Sequence, residues 1–223
     1  MAFIFPIHLF NPRRAQARIV ESVVSGGVSL SGEEDVIATD GGGRWEISFD
    51  NITLRTPAQI RAWEAWEGHL ARGATDCLVP LVSVGHANRP AAGKALMPVS
   101  GILANDPLWP TSVAYSSPHI VATVGTTAPL RATALVINVS KGAPLEGGEK
   151  FSIGWRAYRI VRKTGLNIYQ IEPPLREAVG AGVACNFDWP FVKCRSAPGE
   201  SWSPSIEYGR RGEVSIRFME NAA

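Results

Sequence analysis

The chain has 223 residues, 45% of them hydrophobic and 19% charged, enough for a core in one all-β domain or two small ones. Its charged fraction is below the roughly one quarter usual in soluble proteins, and its net charge is only +2. That balance argues against nucleic-acid binding: the basic pairs Arg13–Arg14, Arg162–Lys163 and Arg210–Arg211 are too short to track a phosphate backbone, and they read as solvated turns or interface contacts.

Three cysteines (Cys77, Cys185 and Cys194) with no C-x-x-C spacing argue against a secreted disulfide scaffold and against a structural zinc site. The first fourteen residues, MAFIFPIHLFNPRR, have no basic stretch before the apolar one and are interrupted at Pro6, unlike a signal peptide. No apolar run approaches the length of a membrane span. The expectation is a protein made in a reducing cytoplasm.

In chain order, residues 1–30 read as an irregular arm followed by a strand, with a turn at Ser25-Gly26-Gly27. Asp40-Gly41-Gly42-Gly43 is a turn. Trp45, Ile47 and Phe49 alternate with Glu46, Ser48 and Asp50, the period of a half-buried strand, and Ile52 and Leu54 continue it. A helix is predicted over about residues 57–72. Thr56 caps it, Pro57 takes the first position, Gln59 completes a capping box and Gly73 stops it. Ile60, Trp63, Trp66 and Leu70 form its apolar face, opposite Arg61, Glu64 and Glu67.

Cys77 to Val82 is a short buried strand. Residues 85–119 contain five prolines and little periodicity and read as an extended irregular loop whose simplest role is contact with a neighbouring subunit. Further strands are predicted at 120–124, 134–139, 151–161, 168–171, 182–187, 191–195 and 214–218, with one helical turn at 175–179. The fold class is mainly β, a β-sandwich or barrel with one packed helix. It divides into 1–84 with the helix, the 85–119 loop, and 120–223 completing the same or a second small β-domain. Trp45, Phe49, Trp63, Trp66 and Leu70 are expected to form the helix-on-sheet core. Tyr158, Ile160, Ile171, Leu175 and Phe187 form a second core, and Arg176 pairs with a carboxylate or caps a carbonyl.

No catalytic, cofactor-binding or metal-binding residue is expected. His8, His69, His86 and His119 are widely spaced. His69, Asp76 and Cys77 lie close in sequence, but the predicted helix carries His69 while Cys77 opens an apolar strand. Gly-x-Ser-x-Gly, the P-loop and the dinucleotide-binding glycine fingerprint do not occur. Trp109, Tyr115, Trp155, Trp189 and Trp202 could serve sugar binding or anchor protein interfaces.

Two blocks carry a family resemblance. The first is GGGRWEISFDNITLRTPAQIRAWEAWEGHLARGATDCLVPL, a Trp-containing strand, a helix with W-x-x-W-x-x-x-L and a strand ending Val-Pro-Leu. The second is GGEKFSIGWRAYRIV followed by YQIEPPLREAVGAGVACNFDWPFVKCRSA, with a Phe-Ser-Ile strand, a Tyr-Arg-Ile strand, a Pro-Pro-Leu-Arg corner and Asn-Phe-Asp-x-Pro. Together, over roughly 40–81 and 147–198, they resemble the distal tail proteins of siphophages (long-tailed bacteriophages) and of prophage-like particles.

The resemblance implies a non-enzymatic structural protein of the virion tail tip, or baseplate. Its subunits form a ring, usually a hexamer, stacked between the tail tube protein and the hub, with a lumen for the tape measure protein and then DNA. The alternative is a receptor- or carbohydrate-binding β-sandwich at the tail tip, which would gather the exposed tryptophans in one cleft.

Overall fold

The computed structural model describes residues 3–20, 23–28, 30–38, 42–81, 120–142, 144–197, 204–207 and 211–222. The loop expected at 85–119 lies outside the described residues. The described part of the chain is mainly β, in two main sheets and one separate hairpin.

The first half supplies β1 (Phe3–Ile4), α1 (Ile7–Phe10), β2 (Arg14–Val20), β3 (Val23–Val28), β4 (Glu34–Ala38), β5 (Arg44–Leu54), α2 (Pro57–Leu70) and β6 (Cys77–Pro80). The second supplies β7 (Val121–Val124), β8 (Ala134–Lys141), β9 (Lys150–Ile153), β10 (Arg156–Gly165), β11 (Ile168–Glu172) and β12 (Ala184–Cys185). Last come β13 (Phe191–Ser196), β14 (Ser205–Glu207) and β15 (Arg211–Glu220).

The first sheet runs β1-β6-β13-β15-β5-β2, with β14 on β15. It is therefore made from both ends of the chain. β5 alternates between a buried face with Trp45, Ile47 and Phe49 and a half-buried one, as its period of two requires. The buried face packs under α2, whose start follows its sequence signature. The Thr56 hydroxyl accepts from the Gln59 amide at 3.2 Å, and the Gln59 side chain accepts in return from the Thr56 amide at 3.2 Å. Trp63 and Leu70 are buried, and Trp66 and Ile60 pack half-buried beside them. The helix stops before Gly73: Ala71 takes the left-handed cap conformation and a 3-10 turn over Ala71–Gly73 follows.

The N-terminal segment is no free arm. Phe5, Ile7 and Phe10 are buried under the helix. Phe5 stacks on Phe49 at 5.5 Å and meets Phe218 edge-on at 5.0 Å, while Phe10 meets Trp63 at 4.9 Å. Pro6 and the shortness of the segment hide this in the sequence. Its apolar residues are explained only by partners far along the chain.

The second sheet runs β12-β7-β8-β11-β10-β9, every pairing antiparallel. Its two edges meet through one bridge, Ser152 with Asn186, carrying hydrogen bonds of 2.9 and 2.8 Å, so the sheet curls into a nearly closed barrel. Closure pairs polar backbone groups that an open sheet would leave bare. The barrel is filled by Leu135, Ile137, Phe151, Tyr158, Ile160, Tyr169, Ile171, Leu175 and Phe187.

Two expectations change here. The stretch 151–161 is two strands, split by a two-residue turn at Gly154-Trp155 with Gly154 at φ 57. The helical turn expected at 175–179 is instead irregular chain with a bend at Arg176-Glu177: Leu175 donates to the carbonyl of Ala132 and Val179 bridges Ala128. The backbone groups of Leu175 and Val179 are satisfied across the chain by Ala132, Arg131 and Ala128, and this replaces the bonds of a local helix.

Candidate functional site

The residues of the Pro-Pro-Leu-Arg corner converge where the barrel meets the first sheet. Leu175 enters the barrel core, and Arg176 turns the other way. Its guanidinium donates to the carbonyl of Gly43 and lies 3.5 Å from the carboxylate of Glu220 on β15. It thus fills both roles expected of it, pairing with a carboxylate and capping a carbonyl. Glu220 has a fully buried side chain and also accepts from the amide of Trp45 at 2.9 Å. A buried carboxylate needs such partners because desolvation is costly. The backbone amide of Arg176 donates to the hydroxyl of Tyr158 at 3.2 Å; burial pushes that hydroxyl's pKa up to about 12, against the opposing pull of this hydrogen bond.

Glycine makes the approach possible. A Cβ on Gly42 would fall 1.9 Å from the ring of Pro174, and one on Gly43 would fall 2.9 Å from the carbonyl oxygen of Val20. Both also have positive φ, 60° and 73°. The described part of the glycine run is therefore the socket for the corner, a role that composition alone does not reveal.

The joint continues along the seam. The Trp45 indole donates to the carbonyl of Ala157 at 2.8 Å, and Lys150 reaches the carbonyl of Ala17 at 3.3 Å while lying over the Trp45 ring. At the far side, Lys193 donates its amide to Trp155. Asp76 there holds Lys193 at 3.1 Å, Arg195 at 2.6 Å and Asn221 at 2.9 Å. Burial alone would raise the Asp76 pKa, but the hydrogen bonds from these three partners outweigh it and lower it.

The residues weighed for chemistry are placed differently. His69 sits in an aromatic bracket, 4.4 Å from Phe3 and 5.4 Å from Trp66, and its Nε2 is buried without a hydrogen-bond partner among the described residues. Cys77 is buried in the first core and is the cross-strand partner of Cys194. Burial first, and then the charge of Asp76, push the Cys77 thiol up to about 12, opposite to the shift that activates a nucleophile. Cys185 and Cys194 are likewise free and buried, on separate cores. Among the described residues no group of three or more His, Cys, Asp or Glu is placed to hold a metal ion, and no helix is long and apolar enough to cross a membrane.

Of the five aromatic residues weighed for sugar or interface contact, Trp155 is 53% exposed at the β9–β10 turn, and Trp189 is half-buried against Phe191. Trp109, Tyr115 and Trp202 lie outside the described residues. What the described surface does present is strand edge and hairpin. Among the described residues β2 pairs on one side only, with β5, and its polar face carries Arg18, ion-paired to Glu46 at 2.9 Å. The β3–β4 and β10–β11 hairpins end in exposed Leu30 and Leu166. Sequence reading missed both tips, although a leucine beside Ser-Gly or Gly-Leu-Asn turn residues is a visible signal.

No family model matches the chain, and no curated protein matches it.

Proposed function

We propose that this chain is a structural subunit of the tail tip of a long-tailed bacteriophage. In this reading it is a distal tail protein closing into a ring, six copies by the resemblance, between tail tube and hub. The tape measure protein and then DNA pass through the lumen, and the role is mechanical rather than catalytic. The protein would be made in the host cytoplasm and reside in the virion.

One observation carries the reading. The residues that bear the resemblance are those that build the two β-layers and lock them together. The Trp strand and capped helix form one core. The Phe-Ser-Ile and Tyr-Arg-Ile strands form the other, and the arginine of the Pro-Pro-Leu-Arg corner joins them through Glu220 and Gly43. A resemblance lying on core and joint residues bears on architecture, where one lying on surface loops would not. A closed ring also asks each subunit for two different flanks. The one-sided β2 edge and the two hairpins are available for that use.

The test is negative-stain electron microscopy of the purified 24.0 kDa chain with light-scattering mass, repeated with tail tube and hub proteins added. Rings with a central hole, alone or templated by a tube ring, are expected. A monomer that binds neither partner at any concentration overturns the reading.

A further inference from the structure

Two hairpins on this chain carry opposite charge. From Glu21 to Asp40 there are five carboxylates and no Lys or Arg. From Lys150 to Ile171 there are five cations and no Asp or Glu. The first segment contains the β3–β4 hairpin and the second the β9–β10–β11 meander up to Glu172, the last residue of β11 and the partner of Arg159.

Each hairpin also exposes apolar side chains at its end. Val28 and Leu30 are exposed on the acidic one, followed in sequence by Glu33, Glu34 and Asp35. On the basic one Leu166 is 87% exposed, with Ile168 exposed next to the turn and Val161 exposed farther down β10. Three of the five cations are engaged inside the subunit: Lys150 with Ala17, Arg156 with Asn221 and Arg159 with Glu172. The two nearest the tip contact only the neighbouring strand β11. Arg162 bonds the neutral Gln170 at 2.8 Å and Lys163 lies over the Tyr169 ring, and neither meets a carboxylate among the described residues. Among the described residues of one subunit β3 and β4 pair only with each other.

We infer that the acidic β3–β4 hairpin of one copy docks on the basic β10–β11 hairpin of the next, leucine tip against leucine tip. The inference rests on the ring reading and gives it a specific subunit contact. A second copy is the occupant whose charges complement both hairpins at once. An anionic membrane or a phosphate chain would suit Arg162 and Lys163 but would repel the acidic hairpin. The contact is heterologous, patch to different patch, so repeating it generates a ring when the rotation closes. Complementary charge sets orientation and register, and the apolar tips supply the area removed from water.

The experiment uses the full chain. Light-scattering mass is measured against concentration and salt for the natural protein, for R162E/K163E and for E33K/E34K. Leu30→Cys and Leu166→Cys variants are then mixed under copper-phenanthroline; the three native cysteines are buried. Expected are assembly that weakens with salt, a loss of about tenfold or more in self-association for either charge reversal, and renewed association when the two reversed variants are mixed. A Leu30Cys–Leu166Cys mixed dimer is expected to exceed either homodimer.

Oligomers that form regardless of either reversal, without the mixed dimer, overturn this contact and leave the ring reading standing. Absence of both assembly and cross-link in the presence of tube and hub proteins removes the two together. Binding of the natural chain to phosphatidylserine vesicles that R162E/K163E abolishes, with no mixed dimer, assigns the basic hairpin to a lipid surface instead.

Discussion

Replacing Glu220 by alanine removes the acceptor of the Trp45 amide and the counter-charge of the Arg176 guanidinium at once, because its fully buried carboxylate serves both. Removing one partner of a buried charge pair costs about 3–5 kcal/mol, more than the pair itself contributes, since the remaining charge keeps its desolvation penalty. Urea unfolding of Glu220→Ala should show a loss of that size. Arg176→Met/Glu220→Leu, which removes both charges, should recover part of it. Asp76 gives a pH-dependent counterpart. Its pKa lies below the ordinary 3.8 in the folded protein because Arg195, Asn221 and Lys193 overcome the opposing effect of burial. Its stabilising contribution is therefore complete above 3.8 and lost as pH falls through the lower folded value. Wild type and Asp76→Asn should differ in stability at pH 7 and converge as the medium is acidified below that range. A gap that persists at low pH would assign the Asp76 contribution to packing.

At the scale of elements, α2 and β5 are the parts most legible in the sequence, since cap, period and apolar face all belong to contiguous residues. Thr56→Ala removes the acceptor for the Gln59 amide and should cost about 1 kcal/mol. Trp63 is almost fully buried between Phe5 and Phe10, so Trp63→Ala should cost about 3–5 kcal/mol, read by chemical denaturation. A near-neutral result would place the helix face elsewhere. The elements that escaped sequence reading have partners remote along the chain. Phe5 and Phe10 look like the residues of a loose arm until Phe49, Trp63 and Phe218 surround them. Strands were expected around both Ser152 and Asn186, but the backbone pairing between them that closes the barrel joins separate segments and has no local signal. The corner residue Arg176 was legible in type, a cation needing a carboxylate and a carbonyl. Its partners Glu220 and Gly43 were not, because nothing local connects them.

Over the whole molecule, the barrel strands are inserted between β6 and β13, which are neighbours in the first sheet. The first sheet is thus completed only after the barrel segment has been traversed, and the two cores share the seam of Trp45–Ala157, Lys150–Ala17 and Arg176–Glu220. Ala157, a barrel strand residue, is packed in the first core. Such interlocking predicts one cooperative unit rather than two. Trp45, Trp63 and Trp66 report the first core by fluorescence, while amide exchange at Tyr158 and Ile160 reports the barrel. The two probes should give one denaturant midpoint. Phe151 is fully buried in the barrel against Phe187 at 5.0 Å. Phe151→Ala should therefore lower stability by about 3–5 kcal/mol on both probes equally. If the tryptophan signal keeps its midpoint while barrel amides lose protection, the seam does not couple the layers, and the barrel melts on its own. The ring proposed above asks for the first behaviour, since a load entering through the β10–β11 hairpin would have to cross this seam to reach the first sheet.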